Sequence, residues 1–105
     1  MRQLREANPD YHSPNGHLLF ARSLEDQGKT DRALQEYEAL VKYYPGQEAR
    51  CRYGLVLQRL GRREDSRRVF QEICHSVEYG PPHQRRAQRE WYEIAKRALG
   101  RDMAG

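Results

Sequence analysis

The apolar residues of this chain recur at three- and four-residue steps, the period of helices that are dry on one side and wet on the other. Across residues 17–27 they are Leu18, Phe20, Ala21 and Leu24, and Gly28 then supplies the left-handed residue that closes a helix. Thr30 or Asp31 is placed to cap a second helix. That helix keeps Ala33, Leu34, Tyr37, Leu40, Val41 and Tyr44 on one side until Pro45-Gly46 stops it. The cycle then restarts: residues 48–60 form a helix, Gly61 turns it, and residues 65–77 return. Tyr79-Gly80-Pro81-Pro82 breaks the chain more firmly than any earlier junction. Residues 84–99 read as one continuous final helix, with a narrow stripe of Ala87, Trp91, Ile94, Ala95 and Ala98 among Arg85, Arg86, Arg89, Lys96 and Arg97.

The two cycles are copies of one unit. Phe20, Ala21, Leu24, Gly28, Ala33, Tyr37, Leu40 and Val41 return 33 residues later as Tyr53, Gly54, Leu57, Gly61, Ser66, Phe70, Ile73 and Cys74. A helical hairpin that cannot bury its stripe alone has to stack on a neighbour, and stacking yields a solenoid with a long open face. The expected class is therefore all-α. Ahead of the first copy, residues 1–8 have helical character but run into Pro9, and Asn8-Pro9-Asp10 and Ser13-Pro14-Asn15-Gly16 are turn chemistry. The chain thus reads as starting inside an earlier repeat, as an excerpt of a longer protein would.

At 105 residues, 37% apolar and 32% charged, the chain is one domain with a thin core. No apolar run is long enough to span a bilayer as a helix, and Arg2, Arg5 and Glu6 interrupt any secretory signal. Cys51 and Cys74 are too few for a disulfide framework and lie outside metal-ligand spacing, which makes a reducing compartment the default. Cys74 fills the slot of Val41 and reads as a small buried hydrophobe. The net charge of +4 is uneven: seven basic residues face eight acidic ones through Arg50, and twelve face seven from Cys51 onward. The basic half is open to an acidic peptide, a membrane surface or nucleic acid.

Over residues 13–99 these positions resemble the tetratricopeptide repeat, whose first helix carries Trp, Leu-Gly and Tyr and whose second carries a small residue, an aromatic one and a closing proline. Phe20-Ala21, Leu24, Gly28, Ala33, Tyr37 and Pro45 match in the first copy, with His17 in the tryptophan place. Tyr53-Gly54, Leu57, Gly61, Ser66 and Phe70 match in the second, with Arg50 for the tryptophan and Glu78 for the proline. Trp91, Ile94-Ala95 and Ala98 look like a first helix without its mate. The resemblance implies a right-handed superhelix of antiparallel hairpins, about two and a half repeats long: a remnant helix and linker at 1–12, a repeat domain at 13–101 (repeats at about 14–46 and 47–80, a terminal capping helix at about 83–100), and a tail at 102–105. A looser likeness to the cytosolic repeats of membrane-anchored bacterial proteins implies a cytoplasmic location, with an anchor upstream in a longer protein.

Carried over from the family, the concave groove is lined by Asn15, Leu18, Arg22 and Glu25, then Glu48, Cys51, Arg52, Leu55, Gln58 and Arg59, and on the last helix Arg89, Tyr92, Glu93 and Lys96. Mixed basic, apolar and aromatic side chains suit an acidic or amphipathic segment of a partner protein, with Arg forking onto carboxylates and Tyr92 as a flat anchor. The resemblance therefore implies a non-catalytic protein-interaction adaptor that needs no cofactor. The receptor for chaperone tails within this family is a poor fit, since its Lys, Asn, Asn, Lys and Arg clamp falls here on Leu18, Arg22, Arg52, Arg89 and Glu93. Two alternatives stand beside the adaptor reading: self-association of two copies through exposed repeat ends, and nucleic-acid binding by the basic half, against which Glu64, Asp65, Glu90 and Glu93 interrupt both basic runs. His12, His17, His75 and His83 do not share a helix face at ligand spacing. Cys74-His75 with Asp65 has no surrounding nucleophile motif. Tyr43-Tyr44 reads as packing at the junction between hairpins.

Overall fold

The computed structural model describes residues 13–104, with side chains through residue 100. The remnant expected at 1–12, and His12 with it, lies outside the described residues. Six helices and no strand are present among the described residues: α1 (Pro14–Asp26), α2 (Thr30–Leu40), α3 (Glu48–Arg59), α4 (Arg63–Glu78), α5 (Pro82–Ala87) and α6 (Arg89–Ala104). Helices α1 and α2 pack as one hairpin and α3 and α4 as the next; α2 then packs on α3, and α4 on α6. The result is an elongated slab of 48 × 32 × 18 Å.

The turns show why the copies share a register. Gly28 and Gly61 both sit at φ 80, in the left-handed region open to glycine. In the first turn the N–H of Lys29 donates to the Leu24 carbonyl and that of Gly28 to Glu25; in the second, Arg62 donates to Leu57 and Gly61 to Gln58. Both are the paired bonds of a Schellman motif, which satisfies the last carbonyls of the first helix and aims the second helix back along it. The expected cap at Thr30 or Asp31 is absent. The capping positions are Lys29 and Arg62, and neither makes a side-chain cap bond. At the start of the fold, Ser13-Pro14 is the beginning of a helix rather than a free turn. The Ser13 side chain accepts from the Gly16 N–H at 3.1 Å, and Pro14, with no N–H to satisfy, takes the first helical position, so α1 starts three residues before the apolar pattern does.

The core forms two clusters. One gathers Leu18, Ala21, Leu24, Ala33, Tyr37, Leu40, Ala49 and Val56; the other gathers Cys51, Leu57, Val69, Phe70, Ile73, Cys74, Val77, Ala95 and Ala98. Leu34 and Tyr53 lie against both and join them. Small residues set the closest approaches. A methyl group added at Gly54 would lie 2.8 Å from Cε1 of the buried Phe70 ring, and Ser66, buried opposite, donates its hydroxyl to the Gly54 carbonyl at 3.0 Å.

The expected continuous final helix is broken. Helix α5 ends at Ala87, α6 starts at Arg89, and Ala87 is exposed rather than part of an inward stripe. Gln88 at the break turns its side chain to the α2–α3 connection, where Oε1 accepts from the Gln47 N–H at 2.8 Å. That bond satisfies a donor at the start of α3, whose capping residue has no side-chain cap of its own. Trp91, Ile94, Ala95 and Ala98 do face inward, against α4 and α3. Helix α6 also continues to Ala104, through residues read as a tail.

Candidate functional site

The leading helix of each hairpin, α1 and α3, meets its neighbour through charge. Glu25 on α1 accepts from Arg59 on α3 at 2.8 Å through one carboxylate oxygen. Its other oxygen accepts the Tyr37 hydroxyl at 2.6 Å. Tyr37 comes from α2, is fully buried, and sends only its phenol tip between the two helices. Burial first, then the bond to Glu25 and that residue's negative charge, push the phenol far above its ordinary range, against the opposing pull of Arg52 and Arg22. Glu25, Tyr37, Arg22, Arg52 and Arg59 thus form one electrostatic cluster between α1 and α3, centred near the C-terminal ends of those helices.

Arg52 is shared. Its Nε donates to Glu48 one turn back at 3.0 Å, and its guanidinium lies 5.5 Å from the centre of the Trp91 ring on α6. It links the second hairpin to the terminal helix much as Arg59 links the first hairpin to the second. Asn15, at the other end of α1, accepts from the Tyr44 hydroxyl at 3.1 Å. Arg22 is exposed and has no hydrogen-bond or ion-pair partner among the described residues. On α6, Arg89 pairs with Glu93 at 3.1 Å, Lys96 lies 5.6 Å over the Tyr92 ring, and the Tyr92 hydroxyl donates to Glu78 on α4 at 2.6 Å. That bond to Glu78 raises the Tyr92 pKa.

Not every residue carried over from the groove pattern offers a surface. Leu18 is only 5% exposed and belongs to the first core cluster. Cys51 is fully buried, near enough to the Trp91 carbonyl (3.9 Å) for a weak sulfur contact, and burial pushes its thiol up to about 12. Both sit on the side of their helix turned toward the next element, so exposure fails at this slot in both hairpins. Leu55 is half-buried against the second cluster, and Gln58 is half-buried as well. Arg22, Arg59, Arg89 and Lys96 are exposed.

One polar cluster was not foreseen. His17, in the tryptophan slot, is 5% exposed; Nε2 is 2.7 Å from a Glu36 oxygen, and Nδ1 is 2.6 Å from the Tyr43 hydroxyl. Tyr43 also stacks on the imidazole, so of the Tyr43-Tyr44 pair one seals this cluster while the other packs the first core. The available signal was the slot itself, which faces the second helix and therefore obliges a polar occupant to find partners there. Among the described residues no three His, Cys, Asp or Glu side chains gather as a metal would require, and no helix is long and apolar enough to cross a membrane.

A family model described as Tetratricopeptide repeat matches residues 18–81, from within α1 to the end of the α4–α5 connection. No curated protein and no solved structure matches the chain.

Proposed function

We propose that this chain, which belongs to the tetratricopeptide repeat family of protein-interaction scaffolds, is a non-catalytic docking surface for an acidic or amphipathic segment of a partner protein. The segment lies along the exposed edge of α1, α3 and α6. The observation that supports this is the charge arrangement at the α1–α3 face: the Arg59–Glu25 pair ties the two helices together, and Arg22 stands beside it with no ion-pair partner among the described residues. A carboxylate arriving there meets a guanidinium that can form forked hydrogen bonds without first giving up another acid. Arg89 and Lys96 extend the positive edge onto α6, while Leu55 and the Tyr92 ring offer apolar contact to an amphipathic face. Asn15, Glu48, Gln58 and Arg52 border the same edge as polar contacts. Leu18 and Cys51 act from beneath, by holding the helices in place.

The test uses a synthetic Glu-rich amphipathic peptide and the double variant Arg22→Glu/Arg59→Glu. Binding is expected to weaken by about tenfold or more, the equivalent of one lost charged hydrogen bond. Because Arg59→Glu also breaks the pair with Glu25, Arg22→Glu alone is measured beside it and is expected to weaken binding in the same direction with the melting temperature little changed. Undiminished binding to the variant would remove the groove.

A further inference from the structure

The elbow at Gln88 builds a pocket that a straight helix would not have. Its position is fixed from outside: Gln88 Oε1 is bonded to the Gln47 N–H, and the same side chain lies so close to Gly46 that a Cβ there would meet it at 3.2 Å. Bending at this pinned point sets Pro82 and Arg85 of α5 across from Arg89, Tyr92 and Glu93 of α6, with Arg86 between them, around a cavity of about 250 Å³. Pro82 and the Tyr92 ring give it apolar walls. Tyr92 is held, since its hydroxyl is committed to Glu78.

Three guanidinium groups against one carboxylate leave a surplus of two positive charges on this lining. Glu93 is answered by Arg89 at 3.1 Å. Arg85 spends one nitrogen on the Glu78 carbonyl at 2.8 Å. Arg86 is exposed and has no partner among the described residues. The cavity is smaller than pockets that enclose a whole small ligand, which span roughly 300 to 1,000 Å³, so it suits one side chain. Its complement is a group of charge near minus two on a flat apolar stem.

We propose that this pocket takes a phosphorylated tyrosine side chain of a partner peptide, its ring between Pro82 and Tyr92 and its phosphoryl oxygens on Arg85, Arg86 and Arg89. The inference rests on the docking function proposed above, because Arg89 and Tyr92 belong to both surfaces, and it adds the chemistry that one end of the surface selects. A nucleic-acid strand fits less well: a strand needs a run of phosphate contacts, and Glu90 and Glu93 interrupt the arginines along α6.

The test measures fluorescence anisotropy with a short, otherwise uncharged peptide carrying phosphotyrosine, its unphosphorylated and phosphoserine counterparts, and a single-stranded oligonucleotide, all at the same salt. The phosphotyrosine peptide is expected to bind and the unphosphorylated one not to. Arg86→Ala is expected to weaken binding by about tenfold, whereas Lys42→Ala, at an exposed position outside both surfaces, leaves it unchanged. Equal binding of the phosphoserine peptide would overturn the aromatic stem. Equal or tighter binding of the oligonucleotide, or an unaffected Arg86→Ala variant, would overturn the site. If the Glu-rich peptide still binds in a manner sensitive to Arg22 and Arg59 while phosphotyrosine does not bind, the pocket assignment falls and the groove stands; if neither peptide binds, both fall.

Discussion

The two hairpins place Tyr37 and Phe70 at the same slot, both essentially without solvent contact, yet the two rings serve different ends. In the first hairpin the ring carries a hydroxyl that reaches Glu25 and, through it, Arg59 of the second hairpin. In the second, the ring has no polar tip, and the residue equivalent to Glu25 is Gln58. Phe70 instead lies against Gly54, where the first hairpin has Ala21. The backbone is thus repeated while the means of closure is not. One hairpin is locked by a polar chain that also ties it to its neighbour, the other by a ring pressed onto bare backbone. A repeat fold fixes which slots are inward, and the chemistry of those slots is free to differ as long as each buried polar group is answered.

The largest expected effect separates the two closures at Gly54. Gly54→Ala forces the buried Phe70 ring to move and should cost about 1–3 kcal/mol in urea unfolding, with part of the loss recovered in Gly54→Ala/Phe70→Leu. A cost near zero would mean that Phe70 is not seated on Gly54. Next in size is Tyr37→Phe, which removes one charge-assisted bond but leaves Glu25 paired with Arg59. A loss of about 1–2 kcal/mol is expected, whereas Phe70→Tyr gains no corresponding carboxylate at Gln58 and should not stabilise.

The smallest effect is a pH dependence. Tyr37 and Cys51 are held protonated by burial, above their ordinary values of 10.0 and 9.0. The unfolded chain releases these protons as pH passes those values while the folded chain retains them. The contribution is therefore fully present below about pH 9 and is lost as pH rises beyond it. Thermal melting followed from pH 7 to 11 should show this decline, and Tyr37→Phe should make it shallower; a flat profile for the parent chain would contradict the burial of both groups.

The inward slots were legible in the sequence because they obey one register. Seven of the eight pairs spaced by 33 residues are alike in burial, down to the same φ at Gly28 and Gly61, and the eighth sets a half-buried Val41 against a buried Cys74. What was not legible depends on contacts far apart in sequence. The break at Gln88 carries neither glycine nor proline, and its reason lies 41 residues away at Gln47. Ser13-Pro14 has the sequence signature of a turn, and proline after serine fits the start of a helix equally well. Among the residues carried over to the groove, the side chains of Arg22, Arg59, Arg89 and Lys96 were expected at the surface and lie there. Leu18 and Cys51 were not: whether a slot at the edge of a helical stripe is wet depends on how closely the next helix approaches, which the pattern of one helix does not contain.

The groove is tested most directly by titrating the isotopically labelled chain with the Glu-rich amphipathic peptide and following backbone amide shifts residue by residue. Shifts should concentrate on α1 and α3 around Arg22, Glu25 and Arg59 and continue to Arg89 and Lys96 on α6, with the exposed sides of α2 and α4 unaffected. Shifts centred on α2 and α4, or none at saturating peptide, would contradict a binding surface formed by the leading helices.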